Sequence, residues 1–245
     1  MSYRLPTAGV HTGTFIKTPA PQIVEILALA GFDFAVLDEE HAPLERGDID
    51  LAMIAGRAAG LPLFVRVRDK QPSTIASSLD SGAAGLLVPH VNTAVEAVSV
   101  LSAARFNGGT RGYSGSPRSS CYGTLPANEA VAAGDARPVI VQIESAAALA
   151  NVSEIAATAI DGLFIGRADL ALSLGGLGQD DLLLSQAIED ILEAGRLHSK
   201  PVGAFVSSLE EYRFFRSQGI SWFVFSSDQG LLRAKAAEIT ASLSV

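Results

Sequence analysis

Short β-rich apolar runs recur eight times along this chain, each followed by a segment with helical spacing, and this alternation constrains the fold more than any other feature. It is the signature of parallel βαβ units. The runs lie at Gly9 to Phe15, Phe34 to Leu37, Leu63 to Val67, Gly85 to Val88, Val139 to Ile143, Gly162 to Ile165, Val202 to Val206 and Trp222 to Phe225. Their nearly continuous apolar character fits strands covered on both faces. Eight units favour a closed (β/α)8 barrel, a single domain over residues 1–245, rather than an open doubly wound sheet. The open sheet usually has fewer strands and marks its ligand site with a glycine-rich turn after the first. No such turn follows the first run here. The later Gly175-Gly176-Leu177-Gly178 is too irregular for a dinucleotide motif and reads as a flexible loop.

The helices between the runs carry readable ends. Thr18-Pro19 can cap and start the first, with Ile23, Leu27 and Ala30 as its buried stripe and Gly31 as its stop. Ile75 and Leu79 mark another that stops at Gly82, and Ser227-Asp228 can cap a closing helix buried through Leu231, Leu232 and Ala236. Two loops exceed what a barrel requires, Phe106 to Thr124 and Arg167 to Asp180, and long loops in a compact domain tend to be functional.

Composition removes several classes of function. The net charge is -8 and the 18 Lys and Arg are scattered, so no basic footprint for nucleic acid exists. No apolar run approaches the roughly 20 residues of a membrane span, and the first ten residues lack a secretory pattern. A cytoplasmic location is the expectation, and the single Cys121 suits a reducing compartment. Any metal must therefore use ligands other than paired thiolates.

In such a barrel the carboxyl ends of the strands form the active face. Polar residues at those ends are few: Asp38-Glu39-Glu40-His41 after the second strand, Arg66 and Arg68 on the third, Gln142-Ile143-Glu144 on the fifth, and Gly166-Arg167-Ala168-Asp169 after the sixth. Glu144 and Asp169 lie one βα repeat apart, which places them at neighbouring strand mouths roughly 5 Å apart. Together they favour a hard divalent ion such as Mg²⁺ or Mn²⁺. Taken singly, each could instead cap the helix that follows it. A 2-oxo acid chelates such an ion through its carboxylate and ketone oxygens, and the ion then favours an enolate at the adjacent carbon. Arg66, on one face of the alternating Phe64-Val65-Arg66-Val67, can add positive charge at the enolate oxygen; its alternative role is an ion pair. His41 is the preferred base and His90 its rival at the same rim, whereas His11 and His198 fall elsewhere. None of Lys17, Lys70, Lys200 and Lys235 lies inside an expected strand, which argues against imine chemistry.

These residues form a familiar set. Phe32-Asp33-Phe34 through Asp38-Glu39-Glu40-His41-Ala42-Pro43, Val65-Arg66-Val67, Leu86-Leu87-Val88-Pro89, Arg111-Gly112, Gln142-Ile143-Glu144 and Phe164-Ile165-Gly166-Arg167-Ala168-Asp169-Leu170 resemble, in order, the HpcH/HpaI family of class II pyruvate aldolases. The resemblance implies reversible aldol cleavage of a pyruvate or hydroxypyruvate enolate from an aldehyde, with one Mg²⁺, Mn²⁺ or Co²⁺ per site. It implies His41 as proton acceptor, Arg66 as transition-state stabiliser, Glu144 and Asp169 as metal ligands, and Gln142 with the backbone of Ala168 and Asp169 at the oxo-acid end. It also implies an aspartate, Asp80 here, that raises the basicity of a histidine in a neighbouring subunit; Asp38, close to His41 in the chain, is the partner if Asp80 is not. A homo-oligomer follows, by the same resemblance a hexamer built as a trimer of dimers, with terminal helices exchanged. The sequence departs from the family where Arg167 stands in place of the common proline, adding a cation at the rim. The competing expectations are a citrate-lyase-β-like enzyme acting on acyl-CoA thioesters and a catalytically silent metabolite-binding barrel.

Overall fold

The computed structural model describes residues 3–5, 9–175 and 181–243. Eight strands run β1 (His11–Ile16), β2 (Phe34–Asp38), β3 (Leu63–Arg66), β4 (Gly85–Val88), β5 (Val139–Ile143), β6 (Gly162–Ile165), β7 (Val202–Val206) and β8 (Trp222–Ser227). All neighbouring pairs are parallel, and β8 returns to β1 to close the barrel. The expected (β/α)8 fold is present, with β1 beginning two residues later than its apolar run.

The outer ring consists of α1 (Pro21–Leu29), α2 (Arg46–Ala59), α3 (Pro72–Asp80), α4 (Ala94–Ala104), α5 (Ala127–Asp135), α6 (Ala146–Ala150), α7 (Val152–Ala157), α8 (Arg167–Ser173), α9 (Asp181–Leu197), α10 (Leu209–Ser217) and α11 (Asp228–Leu243). The long loop before α5 includes a 3-10 turn at Arg118–Gly123. Most of the glycine-rich run at 175–178 lies outside the described residues. No helix among those described is long and apolar enough to cross a membrane.

Two helix readings need correction. The first helix starts at Pro21 rather than at Thr18-Pro19, because Ala20, the residue before that proline, is extended (φ -136°, ψ 112°), while the Lys17 and Thr18 amides donate to the Asp228 carboxylate at 2.9 and 3.1 Å. Its buried residues are Val24 and Leu27, and Ala30 is exposed. The closing helix is capped by Ser227, whose hydroxyl accepts from the Gly230 amide at 3.1 Å. Of its expected stripe, Leu231 alone is partly buried, while Leu232 and Ala236 are exposed. The apolar residues of α11 are distributed around its circumference, so it has no single face to lay on the barrel.

Inside the barrel the strand alternation builds a packed lower layer. Phe34, Phe64, Phe164 and Trp222 all point inward, and the Phe34 and Trp222 rings stack at 4.4 Å. Gly13, Gly85 and Gly203 leave the space these rings occupy, since a Cβ at any of them would collide with an aromatic side chain. Truncating such a ring would cost about 3–5 kcal/mol. Tyr3 closes the lower end, its hydroxyl accepting from Trp222 Nε1 at 3.1 Å. This apolar floor confines the polar inward residues to the upper rim.

Candidate active site at the upper rim

The site follows from continuing the period-two alternation past the strand ends. On β2, Phe34 and Val36 face the interior, and Asp38 and Glu40 extend the same face. The β2–β3 register sets Asp38 opposite Arg66. Arg66 donates to Asp38 twice, Nε to Oδ1 at 2.8 Å and Nη2 to Oδ2 at 2.7 Å. The His41 amide donates to Oδ1 at 3.2 Å, and the Lys17 ammonium lies 3.0 Å from Oδ2. Burial alone would push the Asp38 carboxyl up, but the hydrogen bonds and charge of Arg66 and Lys17 outweigh it and hold it below the ordinary value. The alternative role considered for Arg66, an ion pair, is therefore real. It leaves Nη1 free to lie 3.3 Å from Glu40 Oε2, with the guanidinium 4.5 Å over the Phe15 ring.

Glu40 and Glu144 approach each other across the mouth, joined by His90. The ring of His90 places Nε2 2.9 Å from Glu40 and Nδ1 3.0 Å from Glu144, and its amide donates to Glu144 at 2.6 Å. His90 holds φ at +57°, an uncommon backbone for a non-glycine residue, and this turn brings both amide and ring to the same carboxylate. Burial raises the Glu40 carboxyl above its ordinary value, with Arg66 opposing. Ligand atoms of Glu40, His90 and Glu144 all lie within 4.8 Å of one another, a spacing that suits a divalent cation. One further observation fits such an ion: Gln142 Oε1 is buried without a hydrogen-bond partner among the described residues. Gln142 uses its amide nitrogen on Glu144 instead.

The helix-capping alternative for Glu144 fails, because Ser145 caps α6 by accepting from the Ala148 amide at 3.0 Å. Gly166 lets Glu144 sit close, since a Cβ there would meet Glu144 Oε2 at 2.9 Å. Asp169 stands exposed in the first turn of α8, with Ala168 beside it, and is not part of the Glu40–His90–Glu144 group. His41 is half-exposed, with Nε2 3.7 Å from Glu40. Arg167 does not stand as an added free cation: it pairs with Glu211 at 3.0 Å and lies over the Phe215 ring. Asp80 ends α3 and accepts from the buried Arg111 at 2.6 Å, away from the residues gathered around Glu40.

The sequence alone assigns no role to Glu40 or Lys17 and ranks His90 below His41. The signal for the first two was present, since both continue the inward face of a strand beyond its last apolar residue. The turn that aims His90 had no such signature.

The family described as HpcH/HpaI aldolase/citrate lyase matches residues 11–234. This chain belongs to that family. A 5-keto-4-deoxy-D-glucarate aldolase of Salmonella paratyphi A (strain ATCC 9150 / SARB42) is 34% identical over 233 residues, covering 94% of this chain and 91% of the relative. A solved HpcH/HpaI aldolase/citrate lyase family protein from Burkholderia cenocepacia J2315 superposes with a TM-score of 0.92 at 31% identity, covering 97% of this chain and 95% of that one. The citrate synthase SbnG is also similar, with a TM-score of 0.86 at 27% identity and coverage of 96% and 94%. Membership in the HpcH/HpaI family makes the chain an enzyme of the aldolase and lyase type, and the silent-barrel reading is set aside.

Proposed function

We propose that this enzyme is a divalent-metal-dependent aldolase that reversibly cleaves a 2-oxo acid into a pyruvate-type enolate and an aldehyde. The observation that carries the reading is the joint placement of Glu40, His90 and Glu144 around one point, beside Arg66 and the unpartnered Gln142 carbonyl. Glu144 would hold the metal, with Glu40 or His90 or, after a turn of its side chain, Asp169 completing the protein ligands. When bound, Mg²⁺, Mn²⁺ or Co²⁺ supplies Lewis acidity to the carboxylate and ketone oxygens of the substrate.

The remaining steps fall to the chain's own side chains. Gln142 and the α8 amides at Ala168 and Asp169 orient the oxo-acid end. In cleavage, a ring nitrogen of His41 accepts the proton of the hydroxyl on the carbon beyond the scissile bond. That carbon becomes the aldehyde, and the bonding electrons move toward the ketone oxygen, where Arg66 stabilises the growing negative charge. Asp80 would support the histidine of a second copy in a homo-oligomer, which we read as a hexamer in the cytoplasm. Its side chain is one-third exposed while paired with Arg111.

A second reading, a citrate-synthase-like condensation or lysis of an acyl-CoA thioester, is favoured by the similarity to citrate synthase SbnG for the first and by the inclusion of citrate lyases in the family for the second. Incubation of the Mg²⁺-loaded enzyme with pyruvate or hydroxypyruvate and a panel of aldehydes, with products identified by mass, tests the choice. Aldol adducts support the first reading. Their absence, with turnover of oxaloacetate or acyl-CoA substrates, supports the second.

A further inference from the structure

We infer that Lys17 is a substrate-binding cation that selects acceptors bearing a carboxylate remote from the reacting carbon; the inference rests on the aldolase reading above. On β1 the residues facing the barrel interior are Gly13 and Phe15, and Lys17 is the next on that face. Its own amide is fixed by Asp228 at 2.9 Å, so the side chain leaves the strand from an anchored point. The stem passes the Phe15 ring, with Nζ 5.9 Å from its centroid, and the ammonium ends 3.0 Å from Asp38.

The charge of Asp38 is already matched by the two hydrogen bonds from Arg66. A second cation on the same carboxylate is not needed to neutralise it. Ordering a long lysine side chain for a single partly exposed ion pair contributes little stability and costs rotamer entropy. Arg66 is buried and commits its fork to Asp38 and, through Nη1, to Glu40 3.3 Å away, whereas the Lys17 side chain keeps 25% exposure and donors beyond its Asp38 contact. The cationic donors left for a ligand at the mouth are thus those of Lys17.

The β7 side of the mouth indicates what accompanies the anion. Phe205 occupies the inward face of β7, is 36% exposed, and lies 6.1 Å from the Phe15 ring. An exposed aromatic edge beside an ammonium suits a short aliphatic segment ending in a carboxylate, its methylenes on the rings and its charge on Lys17.

Calorimetric titration of the Mg²⁺-loaded enzyme separates this role from a structural one without requiring turnover. The probes are 2-oxoglutarate and 2-oxopentanoate, equal in chain length and differing in the terminal carboxylate. Wild type should prefer 2-oxoglutarate by about tenfold or more, a single charge-assisted hydrogen bond. K17M should lose most of that preference with 2-oxopentanoate binding unchanged, and K17R should keep part of it. Thermal melts of both variants confirm folding. No preference in wild type, or equal weakening of both acids in K17M, would overturn the assignment. With aldehydes, K17M should raise KM for a carboxylate-bearing acceptor by a much larger factor than for its neutral counterpart; equal changes in the two KM values would also overturn it. Charge-selective binding without aldol turnover would leave Lys17 assigned and refute the aldolase reading alone.

Discussion

Arg66 and Asp38 stand opposite each other across β2 and β3 and share two hydrogen bonds of 2.8 and 2.7 Å, with Asp38 fully buried. The pair fixes the plane of the guanidinium and leaves Nη1 turned toward Glu40. In the proposed reaction this fixed cation would act on charge that appears only in the transition state, because a donor already in place needs no reorganisation.

Arg66→Lys should therefore fold, since an ammonium can still pair with Asp38, but should lose turnover by about 10²- to 10³-fold because it lacks the planar fork. Steady-state kinetics beside a thermal melt check this. Near-normal kcat would assign Arg66 to the ion pair alone.

Lys17 reaches the site from just past the end of β1, so its position in the chain does not by itself exclude imine chemistry. Borohydride treatment in the presence of pyruvate should still give no covalent adduct by mass spectrometry, because the mechanism requires no lysine imine. A reduced adduct on Lys17 would replace the metal mechanism.

Asp80 has one role in the fold and a second only in the proposed mechanism. Its pairing with the fully buried Arg111 side chain predicts that Asp80→Asn lowers the melting temperature, since a buried guanidinium loses its counter-charge, a loss worth up to about 3–5 kcal/mol for a fully buried pair and less here because Asp80 is partly exposed. Its support of a neighbour's histidine predicts that inactive His41→Ala and Asp80→Asn proteins, dissociated and reassociated, regain some activity. No recovery in mixed oligomers verified by native mass spectrometry would leave Asp38, bonded to the His41 amide, as the supporting aspartate.

Glu211 offers a pH test. Burial would push its carboxyl up, but the Ser207 amide and hydroxyl and the Arg167 guanidinium hold it below the ordinary value. A depressed folded value means that the stabilisation is complete above the unfolded value of about 4.3 and is lost as pH falls through the folded one. Its size is on the order of 1 kcal/mol or less after solvent screening, or about 2–4 °C in Tm. Melting curves of wild type and Glu211→Gln should thus be furthest apart near pH 7 and converge toward pH 3. A gap that stays constant across this range would contradict the ion-pair account.

The eight strands were legible because each is covered on both faces and so reads as a continuous apolar run. Asp38, Arg66, Gln142 and Glu144 were legible because they end such runs at the rim. What the pattern did not reveal depends on contacts between distant segments. The match of Asp38 to Arg66 follows from strand register, the bridge from His90 to Glu144 from one left-handed residue, and the anchoring of the Lys17 and Thr18 amides from Asp228 at the far end of the chain. The pairing of Arg167 with Glu211 likewise joins two rim elements, and no local motif signals it.

The central claim is that the Glu40–His90–Glu144 mouth promotes formation of a pyruvate-type enolate with a divalent metal. Deuterium exchange into the pyruvate methyl group, followed by mass spectrometry in heavy water without any aldehyde, measures that step alone. The account predicts exchange with the Mg²⁺- or Mn²⁺-loaded enzyme, none above background after the metal is stripped, and recovery when it is restored. Undiminished exchange in the stripped enzyme, or no exchange with any divalent ion, would contradict it.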